Sequence, residues 1–136
     1  MSLNLLVEKI INNSKIYPSH KIISDHKNSI NFTNLIKVSL SNIPKIGLIK
    51  EDYIPIIIDR NLDSVIAILS VILSRKAFCP ISPFLPEKRI KKILQSLKTK
   101  KLINCSSKNL IKMSKFNEIK INKFDSIKKI QNQKIE

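Results

Sequence analysis

Glycine is almost missing. One residue in 136, Gly47, is the whole supply. That excludes a glycine-rich phosphate cradle, whose tight turns and close backbone approaches need a residue without a side chain. Tryptophan is absent and aromatic residues make up 5%; no RNA-binding aromatic motif, zinc knuckle or helix-turn-helix pattern is interleaved with the lysines. Two cysteines, Cys79 and Cys105, do not make a disulfide framework. The most apolar segment, Val65–Leu73, has half the length needed to span a bilayer, so no membrane span is expected. The start, "MSLNLLVEKIINNSK", lacks the basic opening, long apolar run and small-residue cleavage site of a signal peptide. These absences predict a reduced, cytoplasmic protein.

Acidic residues are also few, 10 against 25 Lys and Arg, for a net charge of +15. The excess is uneven: residues 1–60 carry 8 basic and 5 acidic residues, residues 61–136 carry 17 and 5. Such a balance attracts polyanions through phosphate contacts and counterion release, while the plainer reading is lysine solvating outer helix faces. At 43% hydrophobic residues the chain can build one domain with a real core.

Periodicity organises the first 106 residues. Residues 5–13 read as a short amphipathic helix ended by Pro18; "KIIS" and "SINF" around "DHKN" read as a hairpin. Thr33 is the expected N-cap of a helix carrying Leu35, Ile36, Leu40 and Ile43, stopped by Pro44 and Gly47. "YIPIIIDR" (53–60) reads as a buried parallel strand with Pro55 near its start, and Asn61 as the cap of an all-round apolar helix, 62–74. "AFCPIS" (77–82) is a second buried strand and "KKLINCS" (100–106) a third. Between them Ile90, Ile93, Leu94 and Leu97 mark a helix face, with Lys88, Lys91, Lys92 and Lys98 on the wet side. Strand–helix–strand–helix–strand predicts an α/β fold, a Rossmann-like parallel sheet of about three to four strands with flanking helices, preceded by a short helix and hairpin. "EIKI" (118–121) is a possible further strand in an otherwise basic, weakly structured extension, 107–136.

Between the second strand and its helix lies "FCPISPFLPEKRIKKI" (78–93), with Pro80, Pro83 and Pro86 at spacing three. Pro80 and Pro83 stiffen the exit from the strand. Pro86 suits a helix start, where its fixed φ is right and its missing N–H costs nothing; Glu87 then favours the helix dipole. This run resembles the A-G-x-A-Y-x-P-[LI]-D-P-x-x-P-x-x-R pattern of adenylate-forming enzymes, nearest to the adenylation domains of nonribosomal peptide synthetases. The resemblance rests on Gly47, Asp52, Arg60, Ala77, Phe78, Pro80, Ile81, Pro83, Pro86 and Arg89, with Phe32, Thr33 and Leu35 resembling an early L-T-Y-x-E-L motif. It covers roughly residues 5–106. Arg75 and Lys76 stand where that pattern has glycine, Ser82 where it has Asp, and Glu51 where it has the Gly before Asp52.

The resemblance implies a partial N-terminal subdomain of an enzyme that activates a carboxylate with ATP and Mg as an acyl-adenylate. None of the family's catalytic motifs falls within the matched region, so no catalytic, cofactor-binding or metal-binding residue is carried over, and no cofactor is expected for this chain alone. The expected partner is a separately encoded remainder of the adenylating enzyme; the alternative is a non-enzymatic basic protein for nucleic acid or anionic surfaces. Other candidates read as structural. Cys79 is expected as a buried core thiol and Cys105 as the same with more exposure. His20 and His26, beside Asp25, are solvated loop residues rather than metal ligands. Asp52, Asp59 and Asp63 are turn and cap residues, and Arg60 and Arg89 are expected to fix helix starts by ion pairs or hydrogen bonds.

Overall fold

A computed structural model describes residues 3–107 and 116–127 of the chain. Helix α1, Leu3–Ile16, runs past the expected 13. Ser14 sustains it by turning its hydroxyl back onto the Ile11 carbonyl at 2.6 Å, and the chain leaves the helix only ahead of Pro18, which disfavours α geometry in the residue before it. Strands β1, Lys21–Ser24, and β2, Ser29–Asn31, pair antiparallel as the expected hairpin. Helix α2, Phe32–Ser41, follows without a linker.

Two local expectations change here. The cap of α2 is Asn31, not Thr33: Asn31 keeps an extended backbone and its side-chain oxygen accepts from the Asn34 N–H at 2.8 Å. Thr33 is already helical, and its hydroxyl donates to Pro18 O instead. Pro44 does not simply end α2. It sits in the first turn of a new short helix, α3, Ile43–Gly47, where a missing N–H is harmless.

A four-stranded parallel sheet occupies the centre: β3, Tyr53–Ile57; β4, Ala77–Ile81; β5, Lys101–Asn104; and β6, Asn117–Glu118, in the order β4-β3-β5-β6. Helix α4, Leu62–Leu73, is apolar all round because it is covered on two sides. Ala67 and Val71 meet Ile54, Ile56 and Ile103 of the sheet, while Leu62, Ile66, Leu69 and Leu73 meet Ile30 and the α2 residues Leu35, Ile36 and Val38. Helix α5, Glu87–Ser96, lies on the opposite face, with Ile90 and Leu94 against Ile57, Ile81 and Leu102. The α/β expectation thus holds, with one correction. β4 is an edge strand, and only Ile81 within it is fully buried.

The prolines of the sheet fit this placement. Ala77 N–H donates to Asp52 O and Ile58 N–H to Ile81 O, so residues 77, 79 and 81 bond to β3 while 78 and 80 face outward. Pro80 therefore loses no ladder bond, as an edge strand allows. On the other side of β3, Cys105 N–H donates to Ile57 O, so Pro55 faces β5 just ahead of the pairs Ile56–Ile103 and Ile57–Asn104. The carbonyl that its missing N–H would reach is Lys101 O, which accepts from the Thr99 hydroxyl at 3.4 Å.

The segment 116–127 docks on this frame. Asn42, buried between α2 and α3, donates to Ser70 Oγ (3.0 Å) and Asn122 O (2.9 Å) and accepts from the Asn122 N–H (2.7 Å). Ile119 is buried, and Lys123 Nζ donates to Asn104 O beyond the end of β6. Residues 108–115 and 128–136 of the expected extension lie outside the described residues.

Where the family pattern has glycine, Arg75 takes a left-handed backbone, φ 60, to close α4; Lys98 does the same after α5, φ 54. Both helices end with paired bonds back to the last turn, Lys76 N–H to Val71 O and Thr99 N–H to Leu94 O. Lys76 makes use of the lost glycine: its ammonium donates to Ile49 O (2.7 Å) and Glu51 O (2.9 Å), holding the approach to β3. The left-handed region costs a residue with a Cβ about 1–2 kcal/mol. Arg75→Gly and Lys98→Gly are therefore each expected to stabilise the fold by about 0.5–1 kcal/mol, after glycine's own entropy cost. Lys92→Gly, at an exposed position in the middle of α5, should instead cost about 1 kcal/mol. Urea-unfolding midpoints measure all three, and a loss of stability at Arg75→Gly would contradict the assigned cap.

Candidate site at the carboxyl ends of the strands

β3 has β4 on one side and β5 on the other, with α4 and α5 on opposite faces. At such a reversal of strand order the carboxyl ends open a crevice, the usual ligand position in open α/β sheets. The loop leaving β3, Ile58-Asp59-Arg60-Asn61, forms its floor. An open hollow of about 580 Å³ lies against β4, lined by Ile58, Asp59, Arg60, Pro80, Ser82 and Phe84 among others. A second, about 520 Å³, lies toward the hairpin beside Asp25 and His26.

Asn61 organises the loop. As N-cap of α4 its side-chain oxygen accepts from the Ser64 N–H (2.9 Å) and hydroxyl (2.8 Å), and its amide nitrogen donates to Cys105 O (2.7 Å) at the end of β5. The Ser64 hydroxyl in turn accepts from the Asp59 N–H at 2.8 Å. One side chain thus joins β3, α4 and β5.

The positive end of α4 would be the place for a phosphate, but two of its donors, Leu62 and Ser64 N–H, are engaged. Leu62 N–H donates to Asp25 Oδ2 at 3.1 Å, while Asp25 Oδ1 accepts from Asn28 (2.7 Å) and Lys27 (2.9 Å) within the hairpin. Those two hairpin bonds, with smaller help from Leu62 and His26, hold the Asp25 carboxyl below its ordinary value against a small desolvation. The chain supplies its own anion to its own helix. Asp63, in the first turn of α4, accepts from the Phe124 N–H at 3.0 Å, and Asp59 from the Arg60 N–H at 2.8 Å. Asp59 is a turn carboxylate, as expected; Asp63 lies inside the first turn of α4, whose cap is Asn61, and holds 116–127 instead.

Other candidates fall out differently. Arg60 and Arg89 are exposed and make no ion pair among the described residues, where Lys120–Glu118 is the one that forms; the start of α4 is fixed by Asn61 and Asp25 instead. The cysteines exchange places. Cys79 is half-buried on the edge strand, whereas Cys105 is buried, and desolvation pushes its thiol up to about 12. A thiol so held is a poor nucleophile at neutral pH. His20 stacks on Tyr17 with ring centroids 5.0 Å apart, and His26 is exposed beside Asp25. Neither histidine side chain bonds a hydroxyl or thiol, and no group of three potential metal ligands converges, among the described residues. What the crevice does present is Arg60 and a 91% exposed Phe84 on its rim. Sequence reading passed over Asp25 as a helix partner because its contact to Leu62 spans 37 positions; the one local signal was its turn-forming setting.

Comparison with solved structures identifies the arrangement. The N-terminal subdomain of NpsA from Klebsiella oxytoca, in complex with 3-hydroxyanthranilyl-AMSN, superposes with a TM-score of 0.69 at 18% identity over 95% of this chain and 31% of that one. The fold is that of part of the N-terminal subdomain of adenylate-forming enzymes. The o-succinylbenzoate CoA synthetase MenE of Bacillus subtilis, in complex with the acyl-adenylate intermediate OSB-AMP, gives 0.71 at 13% identity over 93% of this chain and 33% of that one. IdnL7 gives 0.65 at 14% identity over 71% and 20%. The chain therefore spans about a third or less of these adenylate-forming neighbours. No family model and no curated protein matches its sequence. No helix among the described residues is long and apolar enough to cross a membrane.

Two outcomes test the crevice. Asn61→Ala removes a cap and the tie to β5 together and should cost about 1–2 kcal/mol in chemical denaturation. Because the folded Asp25 carboxyl titrates below its ordinary value, its contribution is present above that value and lost as pH falls through the depressed one. Asp25→Asn should therefore flatten the acid limb of the stability–pH curve below about pH 4. An unchanged acid limb would rule out the hairpin hydrogen bonds to the Asp25 carboxylate.

Proposed function

We propose that this chain is an N-terminal scaffold part of a cytoplasmic, ATP-dependent, carboxylate-activating enzyme of the adenylate-forming family, without catalysis of its own. In this reading residues 1–106 are the body of an α/β subdomain, and the basic stretch 107–136 contributes its fourth strand, β6, from within 116–127. The observation that carries the reading is coverage. The fold extends over 93–95% of this chain and 31–33% of two neighbours whose names record adenylate-type ligands.

The chemistry agrees. A single glycine does not make a phosphate loop, and the α4 terminus is held by Asp25 and Asn61. No nucleophile–base pair forms among the described residues. ATP, Mg and the acid would be bound by the remainder of the enzyme, whether that remainder belongs to the same polypeptide or to a second chain. This part would hold one wall beside them.

ATP–pyrophosphate exchange with a panel of aryl and amino acids tests the proposal. The 136-residue chain alone should give no exchange, and addition of the complementary portion of the adenylating unit should give acid-dependent exchange. Exchange by the chain alone would overturn the scaffold role. Failure of the reconstituted pair, with both parts folded, would overturn the family assignment of its activity.

A further inference from the structure

We infer that the outer face of α5 is a binding surface for the phosphate backbone of duplex nucleic acid, read without regard to sequence. Between Glu87 and Lys101 the chain carries seven cations and one acid. Lys88, Arg89, Lys91 and Lys92 fill four of five consecutive positions, and Lys98 and Lys100 follow at the end of the helix; all six are exposed. At 100° per residue, residues 88, 89, 91 and 92 share one arc with Gln95 and Ser96. The opposite arc, Ile90, Ile93, Leu94 and Leu97, is turned toward the sheet, with Ile90 and Leu94 fully buried. None of the six cations forms an ion pair among the described residues.

Charge is segregated across the molecule. Asp25, Asp59, Asp63 and Asp125 line the hollows at the carboxyl ends, and Glu51 and Asp52 precede β3. The α5 face is left with Glu87 alone. Within α5 the row from Lys88 to Lys92 rises about 6 Å, and Lys98 and Lys100 follow beyond the last turn. A duplex presents one charge per about 1.7 Å of axis, so several phosphates fall within that reach.

The same observations decide against an inserted membrane helix and against base readout. A membrane-bound helix needs a free apolar face to insert, and that of α5 is spent on the core. Base-edge recognition needs positioned Arg, Asn or Gln side chains in a groove. This face offers mainly flexible lysines with one arginine and one glutamine.

The test is fluorescence anisotropy of the intact chain with a labelled 20-base-pair duplex over a range of salt. The inference expects binding at 50 mM salt that weakens about a hundredfold by 200 mM, the slope of about four phosphate contacts. In a variant with Lys88, Lys91, Lys92 and Lys100 each changed to Gln, the slope should fall by three to four. A charge-matched control, with exposed Lys9, Lys15, Lys27 and Lys50 changed to Gln, should keep the slope. Equal losses in both variants would assign the effect to net charge and overturn the site. So would absence of binding at low salt with circular dichroism showing a folded chain. Preferential binding to phosphatidylserine vesicles, lost in the α5 variant while duplex binding persists, would overturn it in favour of a membrane surface.

Discussion

The carboxamide of Asn61 is the interaction on which the sheet's centre depends. A parallel strand cannot turn back directly on its neighbour; it must cross over through a helix, and the crossover must begin at a defined angle. Asn61 sets that angle by capping α4 while reaching across to Cys105 O. Ser64 returns the favour by accepting from Asp59. The geometry of one loop thereby fixes where α4 lies on the sheet, and through α4 where α1, α2 and the hairpin can pack. Asp25 closes the circuit from the other end, binding the hairpin to the same helix start.

This arrangement also occupies the start of α4, the anion-attracting end of a helix at the crevice. Helix N-termini bind anions because their first N–H groups lack partners. At α4 two of those groups, Leu62 and Ser64 N–H, already have Asp25 and Asn61 of the chain itself as partners. The fold is recognisable through the path of its strands, which by itself assigns no chemistry to the crevice.

Much of the architecture was legible because it is written in local periodicity. The strand–helix alternation from 53 to 106, the Asn61 cap, the hairpin and the two-faced α5 all follow from spacing that a window of a few residues contains. What was not legible depended on neighbours far along the chain. The choice of Asn31 over Thr33 as cap turned on Pro18 offering its carbonyl to the Thr33 hydroxyl. Pro44 looked like a stop because nothing local says that a second helix follows. Cys79 looked buried and Cys105 more exposed because strand order is invisible in composition: β4 lies at the edge and Cys105 beneath 116–127 and Asp63. The crevice was legible in its turn residues and illegible in its closure by Asp25.

The two strand prolines acquire a further meaning when the chain is considered as it emerges from the ribosome. β3 and β4 are made before β5, so for a time the β3–β4 pair stands with both margins open. On the margin later taken by β5, Pro55 interrupts the row of donors; on the permanent margin Pro80 does the same. An open strand margin with an unbroken row of amides is a template for another unfinished chain. Neither margin of this pair presents an unbroken row of amides, which weakens it as a template for a neighbouring chain's strand.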